Sequence, residues 1–152
     1  MSQTGGFTLF ELLEDHQDNI FARPKIWGKA IPREDWEEGE FYRNLKNTVW
    51  REITENNFPA TSGPDKLTHT LYVLSVSGYG IRICPTSTKF QFTRPCAFIP
   101  RGTKLDGSDR ALVKDVYVLT LLAYPLPEKK LDGEEDLFYA GRCPLAAMQE
   151  LN

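Results

Sequence analysis

The stretch LYVLSVSGYGIRIC, Leu71 to Cys84, constrains this chain more than any other. Leu71–Val76 is apolar on both faces, as a central strand is. Tyr79, Ile81 and Ile83 then alternate with Gly80, Arg82 and Cys84, which is the period of an extended strand. Between the two runs stands Gly78-Tyr79-Gly80. A dinucleotide-binding loop would need a third glycine at position 83 and a helix directly after it. Ile83 stands there instead, and Pro85 follows. The glycines therefore read as the turn of an antiparallel hairpin, and no phosphate loop of the GxxxxGK[ST] form occurs elsewhere.

Upstream, the pattern changes to a helical one. Thr8-Leu9-Phe10-Glu11 has the form of a capping box, flanked by Phe7 and Leu12 as a hydrophobic staple. It predicts a helix over about 9–20 that ends before Pro24. Phe41, Leu45, Val49 and Ile53 recur every fourth residue beside Tyr42 and Trp50, which predicts a second, longer helix from Asp35 or Gly39 to Asn56. Residues 56–66 are turn chemistry, with two prolines and Gly63.

Downstream, Phe90, Phe92, Cys96 and Phe98 share one parity, Val116–Tyr124 is apolar on both sides, and Asp136–Ala140 is a last strand candidate. Pro144 opens a short predicted helix over Pro144–Leu151. The expected fold is α+β: N-terminal helices and a short C-terminal helix packed on a four- to five-stranded antiparallel sheet. The expectation is a single domain over 1–152, with a flexible tail at 1–6, a helical part at 7–56, the sheet at 67–140 and the C-terminal helix at 144–151.

Charge and composition exclude several functions. A net charge of −3 with scattered Lys and Arg disfavours nucleic acid as a partner. Cys84, Cys96 and Cys143 are an odd, widely spaced set with no CxxC pair, and only His16 and His69 could complete a metal site, so neither metal nor cofactor is expected. Asp15-His16 are neighbours that do not face each other on a helix. No GxSxG elbow supports a serine nucleophile. The acidic run Asp132-Gly133-Glu134-Glu135-Asp136 lacks the spacing of a calcium loop. The amino end has no basic leader and no apolar stretch reaches 18 residues, so a cytoplasmic, intracellular and non-secreted location without a membrane span is expected.

The functional expectation follows by exclusion. No catalytic residue is assigned, and the chain is read as a non-enzymatic protein-interaction or self-assembly module with a protein partner, self or foreign, homo-oligomers included. Motif-free domains of this size are frequent among viral matrix and accessory proteins, and that class falls within the expectation. The long stretch from Ile99 to Asp115 supplies the expected partner-contacting loop, with Arg101, Lys104, Asp106, Asp109 and Arg110. The alternative is a small-ligand-binding protein, or an enzyme of the cyclase or isomerase type. Its pocket would lie between sheet and helices, lined by His69, Tyr79, Phe90, Phe92 and Phe98.

Overall fold

The computed structural model describes residues 25–59, 67–89 and 96–151, together with the backbone of a small ladder between β1 (Ser2–Gln3) and β2 (Gly6–Phe7). The predicted helix over 9–20, with Asp15 and His16, lies outside the described residues, as do Phe90 and Phe92. Among the described residues the chain is mostly β. Its strands are β3 (Glu40–Lys46), β4 (Thr68–Ser77), β5 (Gly80–Ser87), β6 (Cys96–Ile99), β7 (Val116–Val118), β8 (Tyr124–Pro125), β9 (Phe138–Arg142) and β10 (Gln149–Leu151). Seven of them form one antiparallel sheet in the order β10-β6-β7-β5-β4-β3-β9, curled into a half-barrel, and β8 pairs with β5 off that path. The one α-helix among the described residues is short, α1 (Asn47–Ile53). No described helix is long and apolar enough to cross a membrane.

The hairpin holds. Ser77 pairs with Gly80 across the turn, and Gly80 adopts a φ of +125° that a side chain would resist. The predicted long helix does not form. Its first half is β3, and only its second half is helical. The cause is a bulge: Tyr42 pairs with Leu71 and Leu45 with His69, so three steps along β3 match two along β4. Asn44 sits at the bulge with a φ of 93°. The extra residue returns Leu45 to the face already occupied by Tyr42, which imitates helical spacing in the sequence. α1 then ends where Glu55 and Asn56 turn left-handed and the Asn56 N–H reaches the Arg51 carbonyl at 2.7 Å.

Two further bulges complete the curl. Two steps along β4 from Val73 to Ser75 match one along β5, and two along β3 from Glu40 to Tyr42 match three along β9. Gly141 takes up the excess in β9 at a φ of +113°, where an added Cβ would stand 2.8 Å from that of Leu105.

The sheet buries both faces. On the first, Tyr42, Leu45, Leu71, Val73 and Ile83 pack under Val49 and Trp50 of α1, with Trp36, Phe58 and the leucines 119, 122, 126, 131 and 137 around them. The Trp50 indole N–H donates to the His69 carbonyl at 3.1 Å, which satisfies the one polar atom of a fully buried ring. On the second face, Phe41, Tyr72, Cys84, Ala97, Ile99, Val118 and Ala140 gather under Leu105.

Three more sequence expectations are corrected. The sheet has seven strands in its main path rather than four or five. Val116–Tyr124 is broken by a 3₁₀ turn at Thr120–Leu122, which folds Leu122 into the first core. The predicted C-terminal helix is a 3₁₀ turn at Leu145–Ala147 followed by β10, which pairs with β6. Eight residues are too few for a self-supporting helix, and backbone pairing to β6 satisfies more donors.

The bulge yields a direct test. Asn44→Gly should leave the urea-unfolding free energy within about 0.5 kcal/mol, whereas Asn44→Val should lower it by about 2 kcal/mol, because a β-branched residue resists the left-handed backbone. Equal stability of the two variants would remove the bulge from its place in this account.

Candidate functional site

The described residues cover the second face only in part. Residues 100–115 arch over it, tied by backbone bonds from Gly102 N–H to the Leu112 carbonyl (2.8 Å) and from Leu112 N–H to the Thr103 carbonyl (2.8 Å). The Asp115 carboxylate accepts the Arg101 N–H at 2.8 Å, and Asp106 and Arg142 exchange two backbone bonds at 3.0 and 2.9 Å. This is an ordered arm anchored by the buried Leu105. Between arm and sheet lies an open groove of about 610 Å³.

Its floor comes from strand alternation. Thr68 and Thr70 share the parity of Tyr72, and Thr86 that of Cys84, so their hydroxyls are turned to the second face. The Thr86 hydroxyl donates to the Thr70 carbonyl at 3.2 Å. Ile99, Leu112, Val113 and Val116 supply aliphatic wall. Arg43, Arg110 and Lys114 line the groove, and no carboxylate does so among the described residues.

One end is organised more tightly. The edge of β9 is covered by residues 28 and 29: Gly28 N–H donates to the Tyr139 carbonyl at 2.8 Å, and Tyr139 N–H to the Lys29 carbonyl at 2.9 Å. That pairing sets Trp27 against Phe138, edge to face, with ring centroids 5.7 Å apart. Arg43, which pairs with Phe138 across β3 and β9, lays its guanidinium over that ring at 5.7 Å. Arg110, at the tip of the arm, lies over Trp27 at 5.6 Å. Two cations are thus held on two touching rings. Neither forms an ion pair with a described carboxylate, in contrast to Lys25 with Glu40, Arg33 with Glu134 and Lys130 with Glu135.

The residues expected from the sequence are distributed as follows. Arg101, Lys104, Asp106, Asp109 and Arg110 are all exposed on the arm, and Arg110 alone of them enters the groove. Tyr79 is wholly exposed at the hairpin tip. His69 borders the groove, yet its imidazole is turned to the first face. There Nδ1 lies 2.7 Å from the Asn47 side-chain oxygen, and the ring meets Phe58 edge-on at 4.8 Å. Burial holds its pKa below the ordinary histidine value, which keeps it neutral. Phe98 is half-buried and tilted against Tyr117 at 5.2 Å. α1 lies on the opposite face from the groove, so this cavity is bounded by sheet and arm rather than by sheet and helix. Trp27, Arg43, Lys114 and Phe138 were not singled out in the sequence. The one local signal was hydroxyls at alternate strand positions, Thr68-x-Thr70 and Thr86-x-Thr88.

The thiols and the buried tyrosine hydroxyls are engaged in the packed faces. All three cysteines are free thiols, Cys84 and Cys96 buried and Cys143 half-buried. Burial raises the pKa of each, and for Cys143 the Asp106 charge adds to it. The buried Tyr42 and Tyr72 hydroxyls are likewise held protonated, chiefly by burial, while Tyr42 donates to Glu40 at 2.7 Å and Tyr72 to the Cys143 carbonyl at 2.7 Å. Among the described residues no cluster of three His, Cys, Asp or Glu side chains is placed to hold a metal ion. No family model matches this chain, and neither do any curated protein or solved structure with which it was compared.

Raised thiol pKa values mean that thiolate is scarce at neutral pH and grows only as the pH climbs past the ordinary range of about 8.5. Ellman's reagent at pH 7.5 should therefore label native protein slowly, Cys143 first as the pH is raised, and Cys84 only at the rate of global unfolding. A burst of one equivalent at pH 7.5 would contradict the inert assignment.

Proposed function

We propose that the chain is a non-enzymatic protein-interaction module whose contact surface is the groove together with the arm at residues 100–115. The observation that carries this is the pair of arginines, Arg43 and Arg110, without an ion pair to any described carboxylate and fixed on the Trp27–Phe138 rings at the groove end. Guanidinium groups braced on aromatic rings lose little side-chain entropy when they meet a partner, and Arg and Trp are enriched among residues that dominate interface energetics. Val113, 81% exposed on the arm, adds an apolar contact beside them. Catalysis finds less support, because the His69 imidazole and all three thiols are committed to the packed faces rather than to the groove.

A second reading has one observation in its favour. The groove volume of about 610 Å³ falls within the range of roughly 300–1,000 Å³ typical of small-molecule sites. Its open side and its lack of a paired acid and base favour the first reading.

The two separate in one experiment. A photo-crosslinking residue placed at Val113 in the cell that makes the protein should yield an adduct of protein mass, the same chain or another. The adduct should be lost when Arg43→Ala and Arg110→Ala are combined. Absence of any protein adduct, with a small molecule retained in native mass spectrometry, would transfer the groove to the ligand-binding reading.

A further inference from the structure

We infer that the groove recognises an acidic peptide segment of the partner, one carrying carboxylates beside aliphatic or aromatic anchors; this rests on the proposed interaction function and specifies its ligand. The first argument is charge complementarity. The chain as a whole is acidic, at −3, yet the groove gathers Arg43, Arg110 and Lys114 and no described carboxylate. Cations in a protein normally find local acids, as Lys25, Arg33 and Lys130 do here. Three exposed cations left together around one concavity make a local positive field on an otherwise negative surface, and that field selects the sign of whatever enters.

The second argument is geometric. A guanidinium lying over a ring keeps its N–H edge free, and that edge is the fork that matches a carboxylate. Arg43 and Arg110 both lie this way, 5.7 and 5.6 Å from the ring centres. The Trp27–Phe138 contact couples them, so two forks are presented at one end of the groove. From there the floor offers the hydroxyls of Thr68, Thr70 and Thr86, able to donate to carboxylate or peptide oxygens. The aliphatic wall at Leu112, Val113 and Val116 gives an apolar anchor a place to bury.

The same features disfavour a nucleic acid. Single strands bind by stacking bases on open aromatic faces. Trp27 and Phe138 stand edge to face with each other, and each carries an arginine where a base would stack. A long polyanion would also meet the negative charge of the rest of the molecule, whereas a short segment feels chiefly the groove.

The test uses the full chain and fluorescence anisotropy. Three fluorescein-labelled decapeptides serve as probes, each alternating Leu or Phe with Glu, with Gln or with Lys. The Glu peptide should bind, weaken steeply between 50 and 300 mM salt, and exceed the Gln peptide by about tenfold or more, as two charge-assisted contacts at partly exposed sites allow. Combining Arg43→Ala with Arg110→Ala should remove that preference. Lys114→Glu, on the exposed arm, should reduce it without touching either ring, and circular dichroism should report an unchanged fold for each variant. Equal affinity for Glu and Gln peptides would overturn the inference while leaving a peptide-binding groove in place. So would a preference that survives the arginine substitutions, or tighter binding of oligothymidylate than of the Glu peptide. Failure of all three peptides would also overturn it, with the interaction function itself judged separately by the Val113 crosslink.

Discussion

The extra residue in β3 between Tyr42 and Leu45 is the constraint on which the rest of the molecule depends. Without it, Leu45 would turn to the groove side and leave the core beneath α1 with a gap beside Trp50. With it, Tyr42 and Leu45 both enter the first core, and Arg43 stays on the opposite side, across from Phe138. One backbone irregularity thus divides a seven-residue strand between the first core and the groove side. Asn44 accepts the left-handed conformation more readily than most residues, and its side-chain amide reaches the Asp136 carbonyl at 3.4 Å.

A sheet apolar on both faces must be covered on both faces, and few of the described elements do so. The first face receives α1 and a series of leucine-bearing turns. The second receives the arm, which anchors through Leu105 and is sewn to β9 at Asp106 and Arg142. Among the described residues the arm spans the face without filling it, and the groove is what remains. The free edge of β9 is blunted by residues 28 and 29, which protects it from pairing with another chain and also delivers Trp27 to Phe138. Nearby, the Glu40 carboxylate, 2% exposed, accepts from Lys25 at 2.5 Å, from the Glu37 N–H at 2.7 Å and from the Tyr42 hydroxyl at 2.7 Å. Three donors compensate its burial and fix Lys25 and Glu37 against β3.

Legibility in the sequence followed the range of the interactions. The hairpin at Gly78–Gly80 was legible because turn and flanking alternation are local, and the antiparallel character of the sheet came with it. The long helix was misread for a physical reason: a bulge followed by a short helix places Phe41, Leu45, Val49 and Ile53 at a helical interval, although Phe41 belongs to one core and Leu45 to the other. The strand at Gln149–Leu151 depends on β6, about fifty residues earlier, which no local pattern reports. The site was less legible still. Arg110 was named from the charge of its loop, but Trp27, Arg43 and Phe138 meet only through pairings across β3, β9 and the preceding segment. Their separation along the chain hides them from any window of sequence.

The central claim is spatial: the proposed recognition function belongs to the groove side of the half-barrel, with the α1 side structural. Amide and indole chemical shifts, followed in two-dimensional NMR during titration with the Glu-bearing decapeptide, test it most directly. The account predicts perturbations at the Trp27 indole, Thr68, Thr70, Thr86 and Val113, with Val49, Trp50 and Leu126 unmoved. Shifts confined to α1 and the leucine-bearing turns would contradict it.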